Sequence, residues 1–212
     1  MYAQNLVSQS GQPVQLPGDL APELLLVRHG QTAWSREGKH TGLTDVPLDP
    51  EGRRQAASVG RHLRSLGIEL TKVLASPLSR AAETCRIAGF GDAMEPIADL
   101  AEWDYGAYEG RTTDQIRESR PGWSLWRDGV PSGEGIDDVA RRADMVISYA
   151  TASKGSVVIF AHAHILRVLA VRWISLAPHN GRSLALGPAS TSILGHEHET
   201  TTILSWNDRS YL

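Results

Sequence analysis

The chain has 212 residues, of which 41% are hydrophobic and 21% are charged, proportions that suit one globular domain with a buried core. Its formal net charge of −3 excludes a general electrostatic attraction to nucleic acid or to anionic membranes, so any phosphate recognition must come from a local group of cations. The single cysteine, Cys85, excludes an intrachain disulfide and a cysteine-based zinc site and fits a reducing cytosol, so we expect a cytoplasmic protein.

The predicted elements begin after a polar leader, residues 1–22, which has neither the basic start nor the apolar centre of a secretory signal. The apolar run at 23–28 predicts a buried strand. Asp49 as N-cap and Pro50 in the first turn open a helix that runs to about Leu66. The other predicted elements are a strand at 72–75, helices at 79–88, 112–119, 136–152 and 164–176, and strands at 156–161, 183–186, 190–196 and 201–206.

This alternation of strands and helices predicts an α/β fold of three layers, with a mostly parallel or mixed sheet flanked by helices. No repeat or linker divides the chain, so we expect residues 23–212 to form a single domain. Residues 105–135 are rich in Trp, Gly and Pro and lack periodicity, which is typical of an insertion that forms a rim or lid over a site.

Two histidines directly follow predicted strands. His29 comes after the first strand, in Arg28-His29-Gly30, and His162 comes after the strand at 156–161. Ligands of open α/β sheets bind beyond the carboxyl ends of the strands. If these two strands are parallel neighbours, both imidazoles reach one crevice, which is therefore the candidate site.

Five segments in order carry a resemblance to a known family: LLLVRHGQTAWS, GKHTGLTDVPLDPEGRRQA, ASPLSRAAET, LAEWDYGAYEG and VVIFAHAHILR. They resemble the histidine phosphatase superfamily, which also contains the cofactor-dependent phosphoglycerate mutases. The segments extend from about residue 24 to residue 173. Details after the third segment are also similar to the bacterial acid phosphatases and the fungal sedoheptulose bisphosphatase of this superfamily. The resemblance implies a phosphoglycerate mutase-like fold.

The resemblance also implies a phosphoryl-transfer site in which His29 is the nucleophile and becomes transiently phosphorylated. Such a transfer needs a neutral attacking nitrogen, cations around the equatorial oxygens and a proton for the departing alkoxide. Arg28 and Arg80 are implied as the cationic cradle, and His162 as a further hydrogen-bond donor to the transferred group. Glu102 is implied as the proton donor, which requires that burial or the substrate raise its pKa.

Four more positions are implied to bind substrate: Thr41 and Gly42 through hydroxyl and backbone N–H, Tyr105 in the pocket wall, and Arg167 at the far end of the substrate. The expected reaction is hydrolysis of small phosphate monoesters, with sugar phosphates or bisphosphates preferred. It requires no cofactor and no metal, because the arginines supply the charge stabilisation. We expect no nucleic-acid or membrane partner, while a homo-oligomer is compatible with the sequence.

The chain departs from the family pattern at three places. Ala163 follows His162 where the family has glycine, and its methyl group would crowd a phosphate-binding amide unless the local φ is negative. Gly133-Glu134-Gly135 lacks the hydroxyl that usually caps the next helix. Residues 105–114 hold one cation, Arg111, where the mutases carry a basic stretch.

Two alternative functions stay open. One is a cofactor-dependent phosphoglycerate mutase, which the shortage of cations after the acid/base glutamate disfavours. The other is an inactive protein that binds a phosphate ligand, for which Ala163 is the possible reason. Every implied catalytic residue is present, so hydrolysis is the preferred hypothesis.

Several other polar residues have a structural interpretation as well as a functional one. The pairs His162/His164 and His196/His198 have the alternate spacing by which a strand presents two ligands to a metal. Because His164 is expected at a helix start, we predict no metal site. Asp104 and Glu109 compete with Glu102 for the role of the acid. The pair Arg141-Arg142 is predicted to lie on a solvated helix face.

Overall fold

The structure, a computed structural model, describes residues 22–153 and 155–212. In these ranges six strands form one sheet: β1 (Pro22–Arg28), β2 (Leu70–Ala75), β3 (Met94–Pro96), β4 (Ser156–Ala161), β5 (Thr191–Glu197) and β6 (Thr200–Asp208). The α-helices are α1 (Ala33–Arg36), α2 (Pro50–Ser65), α3 (Ser79–Cys85), α4 (Thr113–Ser119), α5 (Leu125–Asp128), α6 (Ile136–Thr151) and α7 (Ala163–Trp173). A π-helical turn follows α3 at Arg86–Phe90, and 3₁₀ turns lie at Gly91–Ala93, Ala98–Leu100, Gly106–Tyr108 and Pro178–Ser183.

The strand order of the sheet is β3-β2-β4-β1-β5-β6. The first four strands in this order run parallel, whereas β5 is antiparallel to β1 and β6 is antiparallel to β5. At the centre, Arg28 of β1 lies opposite Ala161 of β4. The carboxyl ends of these two strands therefore lie side by side. The prediction of a mixed sheet between helices is confirmed.

Alternate residues of β1 face the two sides of the sheet, as the period of a strand requires. Leu24 and Leu26 join the core cluster that α6 and α7 cover. Leu25 and Val27 join the cluster on the opposite face, beneath α2 and the buried Cys85 of α3. The continuous apolar run of β1 thus reflects burial on both faces, which gives the three layers.

The structure differs from the predicted elements in three places: one helix ends earlier, one predicted strand is absent, and one short strand was not predicted. The helix at 79–88 ends as an α-helix at Cys85, because the chain turns through a π-helical segment with Gly89 at φ 92°. The predicted strand at 183–186 is wrong: the carbonyls of Ala185 and Leu186 accept hydrogen bonds from side chains rather than from a neighbouring strand. Strand β3 was not predicted, since three residues are too few to show a period.

The insertion at 105–135 packs into the core instead of standing free. Tyr108, Ile116, Trp123 and Leu125 are buried in the cluster beneath α6 and α7. This packing holds one wall of the site described below.

The predicted leader, residues 1–22, lies outside the described residues except for Pro22, which opens β1. None of the helices in the described part of the chain is long and apolar enough to cross a membrane.

Candidate active site

A cavity of about 210 Å³ opens where β1 and β4 end. Of the residues proposed for the site from the sequence, those on its wall are Arg28, His29, Thr41, Glu102, Tyr105 and Arg167. Gly42, Arg80 and His162 do not line the cavity. Gly42 and His162 each directly precede or follow a lining residue in the chain, and Arg80 donates hydrogen bonds to both of them. Two larger hollows border α6 and share no lining residue with this cavity.

His29 is held as a neutral imidazole with one nitrogen fixed. Its Nδ1 lies 2.7 Å from the carbonyl oxygen of Gly30, so Nδ1 carries the ring proton and Nε2 keeps its lone pair. Burial, followed by the positive charges of Arg80 and Arg28, lowers the pKa of His29 well below its ordinary value. The tautomer and charge that a nucleophilic imidazole needs are thus present.

Arg28 offers an unsatisfied cationic donor on the same wall. Its Nη1 donates to the Leu186 carbonyl, but its Nε is buried without a hydrogen-bond partner among the described residues. Burial lowers the pKa of Arg28 to about 10, against the opposing charge of Glu102, so the guanidinium stays protonated near neutral pH. A buried N–H without a partner is costly, so Arg28 brings a positive charge and an incompletely satisfied guanidinium to the cavity wall.

Arg80 and His162 lie behind His29. The imidazole rings of His29 and His162 are 5.1 Å apart, and both Arg80 and His162 are fully buried. Arg80 Nε donates to His162 Nδ1 over 3.1 Å, which leaves His162 Nε2–H to donate to Ser76 Oγ at 2.8 Å. In this structure His162 therefore has no donor to offer a transferred group, in contrast to the role expected of it.

The rest of the Arg80 guanidinium holds the loop after α1. It donates to the carbonyls of Thr41, Gly42 and Thr44 over 2.8 to 3.1 Å. The backbone N–H of Gly42, expected to bind substrate, instead donates to Glu109 Oε1 over 2.8 Å. Gly42 also packs so closely on the Trp103 carbonyl that any Cβ would clash, which gives the glycine a structural reason.

Glu102 is buried at the first turn of α7. Its Oε1 accepts from the backbone N–H groups of Trp103, Ile165 and His164, and its Oε2 accepts from His164 N. A carboxylate at this end of a helix is favoured by the free N–H groups and the helix dipole. Burial alone would raise the pKa of Glu102, but its interactions with His164 and the hydrogen bonds outweigh burial and hold that pKa well below the usual range. Of the two routes by which the acid role could raise this pKa, burial is therefore outweighed in the protein without substrate, which leaves the charge of the substrate.

The two competing carboxylates serve the backbone elsewhere. Asp104 Oδ1 accepts from Gly106 N, and Glu109 Oε1 accepts from Gly42 N and Thr44 N. Neither lines the cavity, whereas Glu102 does.

Two histidines on the cavity wall were not proposed from the sequence as site residues. His164 Nδ1 lies 2.6 Å from the Tyr105 hydroxyl, and the ring of His40 lies 4.8 Å from that of Tyr105. Burial, with a smaller contribution from His164, lowers the pKa of His40 to about 4, and burial also lowers that of His164. Both imidazoles are therefore neutral near pH 7. The signal was present in GKHTG and AHAH, inside the resembling segments.

The far side of the wall is cationic. Arg167 donates to the carbonyls of Gly181 and Arg182 and lies over the ring of Trp126 at 4.6 Å. Lys39 lines the same cavity, and its ammonium lies 2.7 Å from Glu37 at the edge. Arg111, by contrast, donates to Gln115 O and is not on the wall.

The structure shows the local surroundings of two departures from the family pattern. Ala163 is the first residue of α7 and has helical, negative φ, so its methyl group causes no backbone strain. The missing hydroxyl before α6 has no side-chain substitute: Asp138 Oδ2 accepts from Gly135 N, which is only the other half of a capping box. Glu134 forms a bidentate pair with Arg142, which also donates to the carbonyls of Asp99 and Ala101. The prediction that Arg142 lies on a solvated face is therefore wrong.

The two histidine pairs considered for a metal do not share a strand. His162 caps α7 and His164 lies in its first turn, whereas His196 lies in β5 and His198 in the turn after it. Among the described residues, no group of three or more His, Cys, Asp or Glu side chains is placed to hold a metal ion.

Known proteins share this sequence and fold. The model of the histidine phosphatase superfamily (branch 1) matches residues 24–209. An acid phosphatase of Mycobacterium tuberculosis is 44% identical over 177 residues, which cover 82% of this chain and 87% of that protein. The sedoheptulose 1,7-bisphosphatase of Saccharomyces cerevisiae is 33% identical over 192 residues, 74% of this chain and 69% of that one.

A solved structure of an open reading frame product from Mycobacterium tuberculosis superposes with a TM-score of 0.84 at 41% identity, covering 87% of this chain and 96% of that one. The similarity thus includes the strands and helices that carry the cavity as well as the five sequence segments. With the family model matching nearly the whole described chain, the protein belongs to the histidine phosphatase superfamily, branch 1.

Proposed function

We propose that this protein is a phosphatase that hydrolyses small phosphate monoesters through a phosphohistidine intermediate on His29. The observation that carries the proposal is the pairing of a neutral imidazole, fixed through Nδ1 to Gly30 O, with the unpartnered buried Nε of Arg28 on one cavity wall. The relatives named acid phosphatase and sedoheptulose bisphosphatase support the same chemistry.

In the first step His29 Nε2 attacks phosphorus in line with the ester oxygen. The N–P bond forms as the P–O bond breaks, and the charge on the equatorial oxygens is stabilised by Arg28. Arg80 adds positive potential from behind the imidazole, where its charge already acts on His29. Glu102 gives its proton to the departing alkoxide, so that the alcohol leaves neutral.

In the second step water attacks the phosphohistidine. Glu102, now a carboxylate, takes a proton from the water as the O–P bond forms and the N–P bond breaks. Inorganic phosphate leaves, His29 returns to its neutral tautomer, and Glu102 gives up the proton that it took from the water, so its carboxyl group is again ionised in the free enzyme. The same carboxyl group serves both half-reactions.

The proton that Glu102 donates enters with the substrate. The carboxyl is ionised on its own, since its pKa lies well below the usual range. A phosphate monoester has a second pKa of about 6, and the negative charge of the bound ester raises the pKa of Glu102 beside it, so the one proton that the monoanion brings can pass to Glu102 within the complex. The productive complex thus contains a phosphate dianion and a protonated Glu102.

The preferred substrates are sugar phosphates or bisphosphates. Arg167 and Lys39 place cations on the wall beyond the first phosphate, and Thr41 and Tyr105 add hydroxyl groups. A cavity of about 210 Å³ suits a small leaving group. Gly42 contributes through the loop that it shapes, because its N–H is held by Glu109.

The reaction we propose uses no metal. Guanidinium groups supply the charge stabilisation, and vanadate, which adopts a trigonal bipyramidal geometry, should inhibit by occupying the same cradle. Treatment with EDTA should leave the rate unchanged. A strong loss of activity that Mg²⁺ or Zn²⁺ restores would contradict this part of the proposal.

The decisive test is release of inorganic phosphate from a panel of phosphate esters by wild type, His29→Ala and the control His179→Ala, whose imidazole is exposed on a 3₁₀ turn. Wild type and control should turn over the same esters, while His29→Ala should lose activity at least about 10³-fold. Retained turnover by His29→Ala, or a label from radioactive ester on another side chain, would reject the mechanism.

The two alternatives give different results in the same assay. A mutase would transfer phosphate only with a bisphosphate cofactor and release little of it, and the position of Arg111 away from the cavity disfavours that activity. An inactive binding protein would bind the esters without turnover.

A further inference from the structure

Three side chains of the cavity wall, those of Tyr105, His164 and Glu102, lie next to one another in that order. The hydroxyl of Tyr105 lies 2.6 Å from His164 Nδ1, and the same Nδ1 lies 3.7 Å from Glu102 Oε2. One imidazole nitrogen therefore faces two partners, a phenol and the carboxyl group proposed to protonate the leaving group. The side chain of His164 is 17% exposed and that of Glu102 is 5% exposed.

The direction of the hydrogen bond between Tyr105 and His164 follows from the groups available. Within residues 22–153 and 155–212 the imidazole is the hydroxyl's one hydrogen-bond partner, and we assign the phenol as donor and Nδ1 as acceptor, the arrangement that leaves no hydroxyl proton without an acceptor. Burial and the charge of Glu102 raise the pKa of Tyr105 well above its ordinary value, so the phenol keeps that proton. His164 is then neutral and carries its ring proton on Nε2.

The two oxygens of Glu102 are not equivalent. Oε1 accepts from three backbone N–H groups, whereas Oε2 shares only the His164 N–H and faces the imidazole. Oε2 is thus the oxygen with room for a proton. It is also the oxygen that lies near a second base, His164 Nδ1.

We propose that Tyr105 is a positioning residue: its hydroxyl occupies the lone pair of His164 Nδ1 and so keeps the proton of Glu102 available to the leaving oxygen. Without the phenol, that proton would move from Oε2 to Nδ1 and leave an imidazolium beside a carboxylate. The ester oxygen would then have to depart as an alkoxide. The inference rests on the proposed function, since it concerns the acid of that reaction.

In the part of the chain that the structure describes, the surroundings of His164 supply no other group for this task. The rings packed against it are those of His40, Trp103, Trp126 and Tyr105 itself. His40 is neutral, and neither indole has a lone pair or an acidic proton to exchange with the carboxyl. The Tyr105 hydroxyl is the donor placed to occupy Nδ1.

The test compares leaving groups of different pKa. In p-nitrophenyl phosphate the phenolate leaves without help, whereas a sugar phosphate needs a proton on its alkoxide. In Tyr105→Phe we expect kcat to fall about 10-fold or more with the sugar phosphate and to change less than about 2-fold with p-nitrophenyl phosphate. Tyr108→Phe, on the next turn and outside the cavity wall, is the matched control and should leave both rates unchanged.

A second variant separates this role from a structural one. Tyr105→Phe/His164→Leu has no base beside Oε2, so the ratio of the two kcat values should return toward that of wild type. Equal loss with both substrates in Tyr105→Phe, or no recovery of the ratio in the double variant, would overturn the inference. Failure of the proposed function is distinct, because wild type would then hydrolyse neither ester or His29→Ala would hydrolyse both.

Discussion

At the scale of single residues, burial decides which protons the site holds. His29 and His162 are kept neutral by burial and by the guanidinium groups near them, so the nucleophile needs no deprotonation before it attacks. Glu102 is the opposite case, since backbone N–H groups and His164 keep its carboxylate charged against burial. In the free enzyme the proposed nucleophile, His29, is therefore ready to attack, whereas the proposed acid, Glu102, lacks its proton.

This arrangement predicts a fall of kcat/KM as the pH rises through the second pKa of the substrate. The free enzyme holds Glu102 ionised throughout, so the productive combination requires the monoanion of the ester, whose concentration decreases about tenfold per pH unit above about pH 6. Protonation of His29 limits the rate only well below pH 6.5, because its pKa is lowered. The measurement is kcat/KM with one sugar phosphate between pH 4.5 and 8.5.

An analogue with a lower second pKa tests the origin of this decline. The decline should move down in pH by the same amount as the pKa of the analogue. Glu102→Gln, which cannot carry the proton, should be slow at every pH and lose most of the decline. A wild-type profile that is flat from pH 6 to 8 would contradict the assignment.

Much of this residue-scale arrangement was visible in the sequence, and part of it was not. The motif Arg28-His29-Gly30 after a strand pointed to two residues, the proposed nucleophile and its proposed cation, that do line one cavity wall. The ionised state of Glu102 was not predictable, because it depends on N–H groups of α7 about 60 residues further along the chain. Contacts at that separation leave no local pattern.

At the scale of elements, the first turn of α7 contributes or binds several residues of the site. Its free N–H groups bind Glu102, its second residue presents His164, and its N-cap is His162. The loop that carries Glu102 is fastened in turn by α6, through Arg142. Helices and strands could be predicted from periodicity, but the pair Glu134–Arg142 joins an insertion to a helix and needed the structure.

We expect Arg142→Met to weaken both folding and catalysis, with Arg141→Met as its neighbour control. The Arg142 side chain is 12% exposed and paired with Glu134, whereas that of Arg141 is 64% exposed. Breaking a largely buried pair leaves Glu134 and two backbone carbonyls unsatisfied, so the free energy of unfolding should fall by about 3 kcal/mol. The loop of Glu102 should loosen, lowering kcat about 10-fold. Urea unfolding and steady-state rates measure both effects.

The control should change the free energy of unfolding by less than about 0.5 kcal/mol, as expected for an exposed ion pair. If Arg142→Met and Arg141→Met behave alike, the contacts of Arg142 with Glu134 and with the loop of Glu102 have no role. If Arg142→Met loses stability but keeps the wild-type kcat, these contacts stabilise the fold and do not position Glu102.

At the scale of the whole molecule, the topology brings together residues that the chain separates. Parallel pairing of β1 with β4 places the ends of these strands, about 130 residues apart in the chain, at one edge. The alternation of elements predicted this sheet because each strand contains a continuous apolar run, residues 24–27 in β1 and 157–161 in β4. Strand β3 is too short to show a period, and the segment at 183–186 was wrongly predicted as a strand because side chains elsewhere in the fold, Arg28 and Trp206, determine its hydrogen bonds.

The four neutral imidazoles of the site make the free energy of unfolding depend on pH. His29, His40, His162 and His164 all have lowered pKa values because they are buried, that of His40 being about 4. In the unfolded chain each titrates near pH 6.5. Below that pH the unfolded state binds more protons than the native state, so the free energy of unfolding must decrease as the pH falls.

We therefore expect urea unfolding to show a steep loss of stability between pH 6.5 and about 4, up to about 1.4 kcal/mol per pH unit for each buried imidazole. Glu102 adds to the loss only at lower pH, since its stabilising contribution persists until the pH approaches its lowered native pKa. In His40→Gln the free energy of unfolding should depend less steeply on pH, by the contribution of about one imidazole. The substitution His179→Ala, at an exposed position, should leave that dependence unchanged. A free energy of unfolding that is constant from pH 7 to 5 would refute the neutral state of these side chains. Because kcat/KM should stop rising once the pH is below about 6, whereas stability should continue to fall, the highest sustained activity is expected near pH 6.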